Sequence, residues 1–202
     1  MMTVTYAAGP AIYVNMTNRC PCACTFCLRQ NKDYVFDSDS LWLDREPTVD
    51  EVCESLDSWD LTKYNEIVFC GYGEPTERLF DLLEVAKHIR KKSNIKIRIN
   101  TNGLSDLIWN EPTAQKLEGL IDSVSISLNA TNKEEYLKVV RPKFGIESYD
   151  AMLKFTKDCV KHVPSVTMTV VDVVTSKEEQ ELSRKICESV GATFRVRPYS
   201  NK

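Results

Sequence analysis

Short β-rich runs alternate with amphipathic stretches along this chain. The runs Ala11 to Asn15, Glu66 to Cys70, Ile95 to Asn100, Ser123 to Leu128, Val166 to Val173 and Thr193 to Arg197 read as strands. Between them, Val49, Val52, Cys53 and Leu56 share one helical face, and Leu79, Leu82, Leu83, Ala86 and Ile89 repeat the same period. A further helix begins near Ser148, with Tyr149, Met152, Leu153 and Cys159 inward. Three Thr-x-x-Glu pairs, Thr48/Glu51, Thr131/Glu134 and Thr175/Glu178, predict helix starts, because each pair can satisfy free backbone N–H groups reciprocally. The last of these helices keeps Leu182, Ile186 and Val190 together and stops at Gly191, a natural left-handed cap.

Strand and helix thus alternate about six times, which calls for parallel strands joined by right-handed crossovers, an α/β fold. At 202 residues the chain is short for a full (β/α)8 barrel of ~250 residues. A partial (β/α)6 open TIM-like barrel fits, with a flat doubly wound sheet as the competing architecture. No internal repeat, low-complexity tract or linker divides the sequence, so a single domain over residues 1–202 is expected.

Composition narrows the function. With 43% hydrophobic and 27% charged residues the chain can build one substantial core. Arg19 is the first charged residue and Gly9-Pro10 interrupts the apolar start, so no export signal is expected. The longest apolar stretch, near Val166 to Val174, is broken by Thr167, Thr169 and Asp172 and is too short to span a bilayer. A cytoplasmic protein is the expectation. A formal charge of -3 gives no basic footprint for nucleic acid. The run Arg90-Lys91-Lys92 falls where a helix should end and offsets the carbonyl dipole.

The candidate chemistry lies in Cys20-Pro-Cys-Ala-Cys-Thr-Phe-Cys27, where Cys20, Cys24 and Cys27 are spaced x3 then x2. So short a loop cannot close good disulfides among near neighbours, whereas thiolates can converge on a metal. The loop reads as a clip for soft metal, iron and sulfide first. Counting Cys22 as well would make a four-thiolate zinc site, but structural zinc usually draws ligand pairs from separated segments, and no second pair exists here. Of the remaining cysteines, Cys53, Cys159 and Cys187 fall on helix faces, and Cys70 either packs or reaches the cavity. His88 and His162 receive no role.

In parallel α/β folds reactive groups gather beyond the carboxyl ends of the strands. Here that mouth would hold the cysteine loop, then Gly71-Tyr72-Gly73-Glu74-Pro75, Thr101-Asn102-Gly103, and Ser127 with Asn129. Asp172 and Arg197 either join it or stay solvated. A long irregular segment, Leu28 to Pro47, lies beside the cysteines. Its Tyr34, Phe36 and Trp42 suit a small satellite cluster better than a lid.

These residues resemble the radical S-adenosylmethionine (radical SAM) superfamily. The Cys20-x3-Cys24-x-Phe-Cys27 loop after the first strand and the Gly-Tyr-Gly-Glu-Pro turn after the second carry the likeness. Within it, the chain is most similar to small radical SAM proteins associated with TatD-type deoxyribonucleases. That finer likeness rests on Tyr13 to Pro21, Phe69 to Arg78, Asn100 to Gly103, Ser125 to Ala130 and Arg141 to Gly145.

The resemblance implies a [4Fe-4S] cluster on Cys20, Cys24 and Cys27, with the fourth iron open to the amino and carboxylate groups of SAM. Reductive cleavage would give a 5'-deoxyadenosyl radical that takes hydrogen from a substrate the sequence does not identify. It also implies Phe26 near the adenine, Gly71 and Gly73 giving backbone access to the methionine amino group, and Glu74 orienting that group. Ser127 and Asn129 would contact the ribose, with Thr101 or Asn102 beside them. A flavodoxin- or ferredoxin-like protein would supply the electron. The open side of the barrel is expected to be closed by a large substrate, a partner or a second copy. Three further readings stand: a glycyl-radical activase, a 7-carboxy-7-deazaguanine synthase acting on a pterin, and a zinc-bound interaction module without turnover.

Overall fold

The computed structural model describes residues 2–30 and 40–199. Its sheet has seven strands: β1 (Thr5–Ala8), β2 (Ala11–Val14), β3 (Glu66–Phe69), β4 (Lys96–Thr101), β5 (Ser123–Ser127), β6 (Ser165–Val171) and β7 (Thr193–Arg197). The strands lie side by side in chain order, and all neighbours from β2 to β7 are parallel. A doubly wound sheet reverses its order at a switch point. No reversal occurs here, so the units wind one way, as in a barrel. Gly9-Pro10, read above as an interruption, is the turn of a hairpin. Gly9 takes φ +56 and β1 returns antiparallel on β2, pairing Ala8 with Ala11.

Among the described residues six helices form the crossovers: α1 (Val49–Asp57), α2 (Leu79–Lys92), α3 (Ser105–Trp109), α4 (Lys133–Val140), α5 (Glu147–His162) and α6 (Lys177–Ser189). Alternate strand residues Ile12 and Val14, Ile67 and Phe69, Ile97 and Ile99, Val124 and Ile126, and Val166, Met168 and Val170 make the core with these helices. The opposite residues of the same strands, among them Tyr13, Arg98, Asn100, Ser125, Thr167, Thr169 and Arg195, form a polar inner wall. This wall curves. Arg197 on β7 and Cys70 just after β3 stand within electrostatic reach, although four strand spacings of ~4.8 Å would separate them by about 19 Å in a flat sheet. β1 and β7 do not pair, so the half-barrel is open. Among the described residues no helix is long and apolar enough to cross a membrane.

The Thr48/Glu51 box is present. The other two helix starts lie one residue further on. Asn132, not Thr131, accepts from Glu135 N, and the second full box is Ser176/Glu179, while Thr175 is buried with its hydroxyl on Val171 O at 2.9 Å. Asn and Ser are better caps than Thr, which decides between overlapping motifs. At α6 the expected Val190 is buried and Ile186 packs against the core, with Ser183 and Cys187 buried beside them, whereas Leu182 is 50% exposed. The basic run does end α2, where Arg90 donates to Ile95 O and Leu120 O and pairs with Asp122. His88 and His162 pair with Asp57 and Glu118 at the surface. Trp42 packs edge-on against Tyr72, beside a small cluster of Tyr6, Leu41 and Tyr72. Tyr34 and Phe36 lie outside the described residues.

Candidate metal and cofactor site

The cysteine loop leaves the carboxyl end of β2 and is fixed on three sides. At its entry, the buried Arg78 donates to Met16 O at 3.0 Å and Pro47 O at 2.6 Å and pairs with Asp81. Glu46 accepts from Thr17 Oγ1 at 2.6 Å and from Arg19 Nε at 2.7 Å. Below the cysteines lies the last turn of α4, where Ala23 N donates to Val140 O and Arg141 O, and Thr25 N to Val139 O. These carbonyls have no partner within their own helix, so the loop satisfies them. Lys143 N closes the contact on Pro21 O at 2.8 Å, with Arg141 in the left-handed region at φ 51.

The third side is the glycine turn after β3. A Cβ on Gly73 would stand 2.2 Å from Thr17 O and 2.6 Å from Arg19 O, and a Cβ on Gly71 would stand 2.0 Å from Asn15 Oδ1. Neither glycine has a positive φ. Close approach to the loop entry is therefore what requires them, and Glu74 N donates to Arg19 O at 2.8 Å across that contact.

Glu74 joins this turn to the next one. Its Oε1 accepts from Thr76 N, Thr76 Oγ1 and Thr101 Oγ1 at 3.1, 2.7 and 2.6 Å, and its Oε2 accepts from Asn102 N at 2.7 Å. Burial pushes its carboxyl above the usual carboxylate range, and these hydrogen bonds oppose the shift. Substituting Gln would turn an NH2 toward Asn102 N–H or toward the three donors on the other side. Glu74→Gln is expected to cost about 1–3 kcal/mol, the penalty for a buried group left without its partner, measured by chemical denaturation. Unchanged stability would show that Glu74 is not this clasp.

The thiols converge behind the clasp. Asn102 Nδ2 stands 3.6 Å from Cys22 Sγ and 4.0 Å from Cys20 Sγ. Cys22 is buried and shares hydrogen bonds with Cys20 and Cys24, which raise its own pKa; the bond from Cys22 holds the Cys20 thiol below its ordinary value, with Arg29 acting in the same direction. Burial pushes Cys27 up. Cys20, Cys24 and Cys27 are half-buried, as is Phe26 between the last two. Among the described residues no three Cys, His, Asp or Glu side chains are drawn together around one ion position. The donor set nonetheless suits the group: three half-buried thiols on one anchored loop, one of them eased toward thiolate, the form that binds metal.

Among the buried polar atoms without partners in the described residues, two lie close to the cysteine loop or at the end of β5. Asn129 Oδ1, on a residue held at φ 58 just after β5, is one. Tyr136 Oη, on α4 within electrostatic reach of Cys22, Cys24, Glu74 and Cys20, is the other. Such acceptors and donors fit a polar cofactor. Tyr136 was not singled out in the sequence, because a tyrosine at helical spacing reads as core. Ser127 ends β5 on the inner face. Cys70 reaches the inner wall, where it hydrogen-bonds Asn100. Asp172, just after β6, is exposed and accepts from Tyr199 N at 2.8 Å.

The radical SAM superfamily model matches residues 14–186. SuiB from Streptococcus suis, solved with the precursor peptide SuiA, is similar over 93% of this chain and 39% of its own, at 17% identity and TM-score 0.69. A radical SAM methyltransferase from Sphaerobacter thermophilus is similar over 96% of this chain and 57% of its own, at 18% identity and TM-score 0.64. Native anSMEcpe with bound AdoMet gives 93% and 50%, at 19% identity and TM-score 0.58. The chain thus spans 39% to 57% of the length of these proteins. No curated protein matches it. At such identities the solved structures establish the likeness of fold, and the matched model, which takes in every strand from the end of β2 to β6, supplies the family: the chain belongs to the radical SAM superfamily of enzymes.

Proposed function

We propose that this chain is a single radical SAM core that cleaves SAM reductively at a [4Fe-4S] cluster on Cys20, Cys24 and Cys27. The observation that carries this reading is the anchoring of the cysteine loop between the Gly73 turn and the last turn of α4, at the mouth of a curved sheet with a polar inner wall. Cys20, Cys24 and Cys27 would hold the cluster, which would supply one-electron reductive cleavage of a SAM carbon–sulfur bond to methionine and a hydrogen-abstracting radical, the electron coming from an external reductant.

The protein's own residues position and shield. Asn102 directs its amide toward the cysteines, and Glu74 fixes Asn102 through its backbone. With Glu74 occupied by four donors, the backbone of Gly71 to Gly73 becomes the better partner for the methionine end of SAM. Asn129 Oδ1 and Ser127 are left for the ribose, and Phe26 for the adenine. The likeness to TatD-associated proteins, a flavodoxin- or ferredoxin-like donor, and closure of the open side by a partner or large substrate belong to the same reading. Two of the similar proteins are described as bound to SAM or AdoMet, which supports the cofactor.

Anaerobic reconstitution with iron and sulfide, followed by dithionite and SAM, is expected to yield 5'-deoxyadenosine. Purified protein holding zinc, with neither iron nor sulfide, would overturn the reading in favour of an interaction module. The activase and deazapurine readings separate from each other on product: a protein radical seen by electron paramagnetic resonance, or turnover of a pterin.

A further inference from the structure

The inner wall carries more cations than its own acids answer. Arg98 on β4 is satisfied: its Nε and Nη2 donate to Glu66 at 3.0 and 2.7 Å, and its Nη1 donates to Asn100. Arg195 on β7 is exposed, donates to Ser125 Oγ at 3.4 Å and lies within electrostatic reach of Glu66, whose oxygens Arg98 already engages. Arg197, two residues on and on the same face, has neither a hydrogen bond nor an ion pair among the described residues, and its Nε is buried. Burial pushes the Arg197 guanidinium below its ordinary value, nearby Arg195 and Arg98 add to that, and the thiols of Cys70 and Cys24 oppose it.

Arg197 is half-buried and its Nε is buried without an acceptor, a cost that an arriving anion relieves. Its planar fork fits the two oxygens of a carboxylate or phosphate. Residues i and i+2 on one strand point the same way, about 7 Å apart, so one oxyanion group can lie between them. Among the described residues no carboxylate is left to pair with Arg197: Glu66 is engaged by Arg98 and Glu74 by its four donors.

We propose that Arg195 and Arg197 form an anion subsite, and that the molecule transformed at this centre carries a carboxylate or phosphate. Naming that molecule a substrate rests on the radical SAM reading; the subsite itself does not. Arg197 lies within electrostatic reach of Cys24 and so beside the cysteine loop. Both arginines stand on β7, the strand furthest from β2 in the sheet order, while the curvature of the wall also brings Arg197 within electrostatic reach of Cys70, so the SAM-binding arm of the test below separates a substrate anion from the cofactor.

The test uses metal-free full-length protein at constant ionic strength, with sodium acetate and sodium phosphate as probes and the arginine Nε–Hε NMR signals as readout. Saturable shifts of the Arg197 and Arg195 signals are expected, and the stronger probe identifies the oxyanion. Arg195→Gln and Arg197→Gln should each weaken binding about tenfold, the worth of one charge-assisted contact. Arg197→Lys, which keeps charge without the fork, should fall between. Lys185→Gln, on the outer helix α6, should change nothing. No saturable shift, or binding undiminished in both glutamine variants, overturns the proposal. So does loss of SAM binding by reconstituted Arg197→Gln, since the pair would then serve the cofactor. Anion binding in a protein that never takes up iron sinks the enzyme reading and leaves the subsite standing.

Discussion

Cys24→Ala is expected to abolish iron and sulfide retention and with it all formation of 5'-deoxyadenosine, whereas Cys22→Ala should keep most of both. The four thiols are close in sequence but not in chemistry. Cys22 is buried, pairs through an isolated bridge with Pro142, and shares hydrogen bonds with Cys20 and Cys24 while the Asn102 amide faces it. Those bonds raise its pKa and lower that of Cys20. Cys20, Cys24 and Cys27 are half-buried, whereas Cys22 is buried and held at Pro142. Cys22 therefore reads as packing beneath its neighbours, and its loss should cost about 1 kcal/mol of stability, typical of a small buried side chain. Iron, sulfide and zinc analysis of both variants, with a parallel SAM assay, settles the set. Equal loss in the two would mean that the ligands are wrongly chosen, and zinc in place of iron would point to all four.

The local part of this site was legible in the sequence, and the non-local part was not. A metal loop is a short-range object: the x3 and x2 spacings of Cys20, Cys24 and Cys27 carry their meaning without knowledge of the fold. Alternation gave the six parallel strands for the same reason. The cap positions missed by one residue because Thr131-Asn132 and Thr175-Ser176 each offer two overlapping motifs, and only side-chain capping strength separates them. The first strand was hidden because four residues before a Gly-Pro turn are too few to show a period. On α6 the expected inward residues Ile186 and Val190 do pack on the core, but Ser183 and Cys187, small enough to lie close to the sheet, join them while the larger Leu182 is left outside. Glu74 and the glycines were recognised but for another purpose. Apart from the local Thr76, their observed partners, Thr101 and Asn102 in one case and Asn15, Thr17 and Arg19 in the other, lie 27 to 28 residues after Glu74 or more than 50 before the glycines, and no pattern along the chain reports such a contact.

Gly73→Ala should destabilise the protein by about 3 kcal/mol, in the range set by overpacking of a fixed core, and should lower iron uptake in proportion to misplacement of the cysteine loop. The added methyl would meet two backbone oxygens, Thr17 O at 2.2 Å and Arg19 O at 2.6 Å, and no rotamer change can move either one. Relief requires the entry strand to back away, which stretches the 2.8 Å bond from Glu74 N to Arg19 O immediately before Cys20. Gly71→Ala offers the contrast. Its methyl would strike a side chain, Asn15 Oδ1 at 2.0 Å and Cγ at 2.7 Å, whose amide donates to Thr3 O and Leu41 O. Asn15→Ala removes those atoms, leaving only the Cβ at 3.1 Å, so the double variant Gly71→Ala/Asn15→Ala should be more stable than the sum of its single costs. No side-chain deletion should rescue Gly73→Ala in the same way, because what blocks it is main chain. Denaturation of the five proteins, with iron content after reconstitution, tests both halves. A Gly73→Ala protein as stable and as iron-rich as the parent would show that the turn and the cysteine loop are not packed as one unit.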